Sequence, residues 1–265
     1  MTFLFLFVAS FVLSPSTITM TSLSILNFFT RPSSFYLTHA IVSSYFRIAA
    51  VLEANCIPRV LQLLAEVPEE AIQAPTLRIV GNCMSGSDTQ TQAILDFGVL
   101  PILSSLLDNE SRNIRKETCW TLSNITSGTV SQVQQVLESP GLFSRVIQMI
   151  DESSDDAEIQ KEATWVVSNA TSNREPNQIA YIIEQGAVGP LVALLKKRSL
   201  VLDIALEGLE NILGDYSFNI YTHSSFPFNR SNVASLNYSY IHSLAHLCSP
   251  SFTHTHTFVC YIVIH

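Results

Sequence analysis

Residues 116–127 read KETCWTLSNITS, and 45 positions further on residues 161–172 read KEATWVVSNATS. The near-copy sets Trp120 and Asn124 in register with Trp165 and Asn169. A period in the forties that closes on a helical segment marks a stack of helical repeats, in which each unit buries its apolar face against the next. A Trp and an Asn four positions apart share one side of a helix. Stacked helices of this kind would present the same aromatic–amide pair twice on one surface.

The register runs in both directions. Asn82, Asn124, Asn169 and Asn211 are separated by 42, 45 and 42 residues. A second marker keeps step with it in ILDFGVLPILSSLL (94–107), VLESPGLFSRVIQMI (136–150) and IIEQGAVGPLVALL (182–195). In VLEANCIPRVLQLL (51–64), Asn55 stands where the other phrases have Gly98, Gly141 and Gly186. Gly just after a periodic apolar run is a helix stop. Each unit therefore reads as a short helix, a Gly-type stop, a second helix, a polar turn and a longer third helix.

A wheel at 100° per residue divides the third helices into sectors. Ile114, Thr118, Leu122 and Ile125 form a narrow core stripe, whereas Asn113, Glu117, Trp120 and Asn124 fall in a separate sector. The next unit has Glu158, Glu162, Trp165 and Asn169 in that second sector. Arg78 takes the Trp position in the first unit and Glu207 takes it in the fourth. Core packing is the competing reading of each Trp, but aliphatics already supply the stripe. A hydrogen bond to a neighbouring loop is the competing reading of each Asn, and solvation the competing reading of Glu117 and Glu162.

The net charge of −8 hides a partition. All 22 acidic residues lie between Glu53 and Asp215 with 11 of the 14 Lys and Arg, so that segment carries 11 − 22 = −11. Residues 1–51 and 216–265 carry only Arg31, Arg47 and Arg230, no acid, and all seven His. Three parts follow: an apolar, non-repeat segment over 1–51, the repeats over 52–214, and a non-repeat tail over 215–265. The repeats are expected as about four units, the first one partial. The abrupt change in charge at Leu52 and Asp215 leads to the expectation that both ends are foreign to the repeats, as translated intron or a misjoined gene would be. The stretch Phe3–Leu13 has the length of a signal-peptide core but no Lys or Arg before it. It is short for a spanning helix, and no membrane partner is expected. The acidic repeats argue against nucleic acid and favour a basic partner. KKR at 196–198 is the one basic run, and it reads as a solvated helix end.

Cys56, Cys83 and Cys119 fall in the repeats and read as small core residues in a reducing compartment. His242, His246, Cys248, His254, His256 and Cys260 match no standard finger spacing, so neither a metal site nor a cofactor is expected. Asn229 and Asn237 lie in glycosylation sequons that matter only to a secreted chain. No His falls in the repeats, so no Ser-His-Asp or Cys-His device is possible there. No catalytic residue and no enzyme activity are expected.

The residues at this point resemble a family. LRIVGN (77–82), GSDTQTQAILDFGVL (86–100), KETCWTLSNITSG (116–128), KEATWVVSNATS (161–172), YIIEQGAVGPLVALL (181–195) and IALEGLENIL (204–213) are similar to importin-α (karyopherin-α). The resemblance implies an all-α fold: a right-handed armadillo-repeat solenoid of three-helix units, here flanked by non-repeat ends. It implies the later repeats, about the sixth to the ninth, which hold the family's minor signal-binding groove. It further implies a nuclear import adapter that binds Lys/Arg-rich nuclear localisation signals of cargo, in cytoplasm and nucleus. Trp120, Asn124, Trp165 and Asn169 would be the binding array, with Arg78, Asn82, Glu117, Ser123 and Glu162 on the same surface. The family's importin-β-binding segment, its major-groove repeats and its receptor-contacting end have no counterpart in this sequence. An armadillo scaffold for another partner and a non-functional importin-α fragment are the alternatives.

The chemistry expected of such a groove is simple. Stacked helices lie ~8–10 Å apart and an extended peptide rises ~3.3 Å per residue, so each repeat spans about three peptide residues. A carboxamide both donates and accepts, and so holds a peptide backbone without reading its side chain. Neighbouring Trp rings form slots for a Lys stem, and acidic groups at the rim select for Lys and Arg.

Overall fold

The computed structural model describes residues 45–53, 55–152, 156–173, 175–196 and 201–222. Among these the secondary structure is helical throughout. The first unit comprises α1 (Tyr45–Glu53), α2 (Ile57–Glu66) and α3 (Glu70–Met84). The second comprises α4 (Asp88–Leu95), α5 (Val99–Leu106) and α6 (Arg112–Thr126). The third comprises α7 (Val130–Glu138), α8 (Leu142–Glu152) and α9 (Ala157–Thr171). The last comprises α10 (Pro176–Glu184), α11 (Val188–Lys196) and α12 (Leu202–Thr222).

The reversal from the first to the second helix of each unit sits where the sequence placed it. Gly98, Gly141 and Gly186 have φ of 78°, 73° and 86°. Asn55 takes the same left-handed conformation at φ 49° and is the one non-Gly residue to do so among those described. A left-handed L-residue costs roughly 1–2 kcal/mol, and Asn is among the side chains that bear it best. This is why Asn can replace Gly at that position. The starts of the first helices are fixed by side chains. Ser87 with Gln90 and Thr129 with Gln132 form reciprocal capping boxes, while α10 opens on Pro176.

The chain divides into two compact bodies, parted between Val166 and Val167 inside α9. In the N-terminal body like helices of successive units pack on each other: α1 on α4, α2 on α5, and α3 on α6. The core stripe of α6 is where the wheel put it, with Ile114, Thr118, Leu122 and Ile125 all fully buried. The Thr118 hydroxyl is satisfied within the helix by donating 2.8 Å to the Ile114 carbonyl. Side chains also cross from one repeat to the next. Gln132 Nε2 donates to the Asp88 carbonyl at 2.7 Å, Asn109 Nδ2 to Gln73 Oε1 at 3.1 Å, and Arg145 Nε to Asp108 at 2.6 Å. Arg112 makes a two-pronged pair with Asp156. In the C-terminal body α12 packs on α10 and α11, and Asn211 Nδ2 donates to Thr171 Oγ1 at 3.2 Å.

The helices overrun the boundaries drawn from charge. α1 begins at Tyr45, ahead of position 52, and its Ile48 is buried at 1 % exposure. The first unit therefore has a first helix, where the sequence suggested a partial repeat. The charge pattern missed it because a buried helix face carries no charge. α12 likewise runs through position 215 to Thr222. The expectations for 1–44 and for 223–265, including the sequons and the His/Cys pattern, lie outside the described residues.

Candidate functional site

Trp120 and Trp165 are both half-buried on third helices, off the core stripe that their neighbours Leu122, Ile125 and Val166 fill. Trp120 leans on α3. A Cβ added at Gly81 would collide with the six-membered edge of the Trp120 ring and lie 2.8 Å from Thr121 Oγ1. Gly81 is thus the residue that lets the indole lie down against the neighbouring helix. Above the ring sits the Arg78 guanidinium, with Cζ 4.9 Å from the ring centroid. The same guanidinium is ion-paired with Glu117 Oε1.

Glu117 differs from both sequence readings. It is neither a solvated residue nor a rim carboxylate, since its side chain is 4 % exposed. Arg78 from α3 covers it, and Lys116 Nζ stands 3.6 Å from the same oxygen. Its second oxygen, Oε2, is buried without a hydrogen-bond partner. Glu162, in the corresponding position of α9, is half-buried. Its carboxyl is held above the usual range by burial, and the nearby carboxylates of Glu158 and Glu117 push the same way against Lys161 and Lys116.

The amides are divided. Asn82 and Asn211 are buried, whereas Asn124 and Asn169 are partly exposed. Asn124 Nδ2 donates 3.1 Å to the Gly81 carbonyl, tying α6 to α3. This is a bond to the adjacent helix, where the sequence offered a bond to a neighbouring loop as the alternative. Asn169 lies one turn beyond Trp165 on α9. Ser123 is buried, and its hydroxyl donates 2.8 Å to the Trp120 carbonyl of its own helix.

Sequence reasoning passed over one recurring device. Ser85, Ser127 and Ser172 follow Asn82, Asn124 and Asn169 by three positions, and each hydroxyl donates to that Asn carbonyl at 2.8, 2.8 and 2.7 Å. These bonds satisfy carbonyls at the ends of the third helices. The N-x-x-S recurrence was there to be read. The Gly81–Trp120 contact had no such signal, because Gly81 has no counterpart in Ser123 or Ser168, its register partners in the two following units.

Cys56, Cys83 and Cys119 are buried free thiols. Burial pushes Cys83 and Cys119 up to about 12 and raises Cys56 as well, so none is poised as a thiolate. Among the described residues no group of His, Cys, Asp or Glu is placed to hold a metal ion, and no single helix is long and apolar enough to cross a membrane.

Residues 87–127, the second unit from the cap of α4 to the end of α6, match the armadillo/beta-catenin-like repeat family. A designed armadillo repeat protein superposes with a TM-score of 0.73 at 22% identity, over 91% of this chain and 98% of that one. The fold is therefore an all-α armadillo solenoid. Within that class the likeness is to importin-α. The chain is 41% identical over 169 residues to Importin subunit alpha-1b of Oryza sativa subsp. japonica, covering 63% of this chain and 31% of that protein. Identity to Importin subunit alpha-3 of Arabidopsis thaliana is also 41% over 169 residues, with the same coverage. Importin subunit alpha-1a of Oryza sativa subsp. japonica is 47% identical over 94 residues, 35% of this chain and 18% of that protein. The aligned segment is similar to part of these importin-α subunits and spans less than a third of their length.

Proposed function

We propose that the chain is a nuclear import adapter module that binds Lys/Arg-rich nuclear localisation signals of cargo in extended form, between cytoplasm and nucleus. The observation that carries this reading is the pair Trp120 and Trp165. Each is half-buried in the same position of a third helix, and the partly exposed Glu162 stands one turn before Trp165. A Lys stem laid along such a ring gains a cation–π contact of roughly 0.5–2 kcal/mol. Asn124 and Asn169 stand one turn further on, where a carboxamide would hold the peptide backbone. A solved relative supports the ligand class: a designed armadillo repeat protein "in complex with peptide (KR)4" is 25% identical with a TM-score of 0.71 over 91% of this chain. On this reading the protein acts by binding, without catalysis, cofactor, nucleic acid or membrane.

A second reading, an armadillo scaffold for another partner, is favoured by the engagement of Trp120 and Asn124 with α3. Both side chains have an inter-repeat structural role. Titration of the chain against a labelled (KR)4 peptide and against a Glu-for-Lys/Arg control of equal length separates the two. Micromolar or tighter binding of the basic peptide alone supports the adapter. Equal or absent binding supports the scaffold.

A further inference from the structure

We infer that Arg78 is a resident cation that fills the first slot of the Trp array and so limits a bound basic peptide to the slot on the far side of Trp120. The inference rests on the peptide-binding reading above. It also changes the part expected of Arg78, from a residue that contacts the peptide to one that closes the groove.

The geometry is that of a ligand supplied by the protein itself. Arg78 places its guanidinium over the Trp120 ring and pairs with Glu117, the two contacts that a Lys or Arg of a peptide would seek there. It belongs to α3 and occupies in that helix the position that Trp120 and Trp165 hold in theirs. The repeat thus presents a cation where an aromatic wall would otherwise stand. Being tethered, Arg78 meets the slot at an effective concentration of about the millimolar range or above, which a free peptide at micromolar concentration does not match. A guanidinium also stacks on an aromatic face and hydrogen-bonds a carboxylate at once, which an ammonium does less well.

Two further observations fit a permanent occupant. Gly81 lets the indole lie against α3 directly beneath Arg78. Glu117 is almost fully buried, and a carboxylate so desolvated needs a cation held next to it. Trp165 differs, for among the described residues no cation lies over its ring. The predicted recognition element is therefore one dominant basic side chain near Trp120 and Trp165. A second basic residue reaching back towards α3 would add nothing.

The test uses the full chain and three labelled, otherwise Ala/Gly/Ser peptides. One has a single Lys, one adds a second Lys three residues before it, and one adds it three residues after. Wild type is compared with Arg78→Met. The double variant Arg78→Met with Glu117→Gln is run beside it, because it removes both members of the ion pair and leaves no buried charge unpaired. In one direction the second Lys should leave wild-type affinity within about twofold, yet strengthen binding at least fivefold in both variants. If wild type already gains fivefold in both directions, or if neither folded variant gains in either, Arg78 does not close the slot. If no form of the protein binds any of the peptides, the peptide-binding reading fails and the inference falls with it.

Discussion

Asn124 donates its carboxamide hydrogen to the carbonyl of Gly81, 3.1 Å away on the preceding repeat. That bond fixes the amide plane and makes one residue serve both the stack and the proposed groove. The two roles are separable. Asn124→Ala removes the donor and should cost about 1 kcal/mol of stability. Asn124→Asp sets a carboxylate against a carbonyl and should cost more than Asn124→Ala in urea denaturation. An Asp variant as stable as wild type would show that the bond contributes nothing.

Gly81→Ala sets two effects against each other. Ala gains up to about 1 kcal/mol of helix propensity over Gly, but its Cβ collides with the Trp120 ring. Overpacking of this kind costs typically 1–3 kcal/mol. The ring lies beneath the Arg78 guanidinium, and the same Cβ would also meet Thr121 Oγ1, so a swing of the ring alone does not relieve the crowding. The variant should be destabilised and should bind basic peptide more weakly, as melts and titration would read. Unchanged melting together with unchanged binding would mean that the ring is mobile.

Ser123 and Ser168 hold the same position in successive units and should respond differently. Ser123 donates 2.8 Å to the Trp120 carbonyl, whereas the buried hydroxyl of Ser168 has no partner. Ser123→Ala should cost about 0.5–1.5 kcal/mol. Ser168→Ala should be neutral or stabilising by up to about 1 kcal/mol, because an unsatisfied buried hydroxyl is removed. Equal losses in the two variants would contradict the assignment.

Glu162 makes stability depend on pH in a stated direction. Its folded carboxyl titrates above the unfolded one because burial and neighbouring carboxylates disfavour the charge. Between the ordinary carboxylate range and the raised value the folded state binds more protons, so stability falls as pH rises through that window. Glu162→Gln should flatten this slope and leave the protein no less stable at neutral pH. Asp156 works in the opposite sense. Arg112 holds it below the usual range, so its contribution is present at neutral pH and is lost as pH falls through that lowered value. A basic peptide would keep Glu162 ionised, so binding should strengthen as pH rises through its window. Urea melts from about pH 2 to about 7.5 would check both stability slopes, and peptide titrations through the Glu162 window would check the binding.

The repeat was legible because its markers are local. A left-handed hinge selects Gly or Asn directly, and a core stripe recurs with the helical period, so Gly98, Gly141, Gly186 and Asn55 located the reversals. The extra first helix was not legible because the partition relied on charge, which Tyr45–Glu53 scarcely carries. The site was half legible. Trp120, Trp165 and the Asn series follow from the period. The burial of Glu117 beneath Arg78 depends on two residues 39 positions apart, whose contact no single-helix wheel can show.

The proposed role of Trp120 and Trp165 is to bind basic peptides rather than to hold the core. It is tested most directly by the double variant Trp120→Ala with Trp165→Ala, run beside Leu122→Ala. Peptide anisotropy and thermal melts would be measured on the same samples. The double variant should lose on the order of 2–4 kcal/mol of affinity for a labelled (KR)4 peptide, roughly 30-fold or more. It should also stay more stable than Leu122→Ala, a fully buried truncation expected to cost about 2–5 kcal/mol. A double variant that melts as low as Leu122→Ala, yet binds the peptide as tightly per folded molecule as wild type, would contradict it.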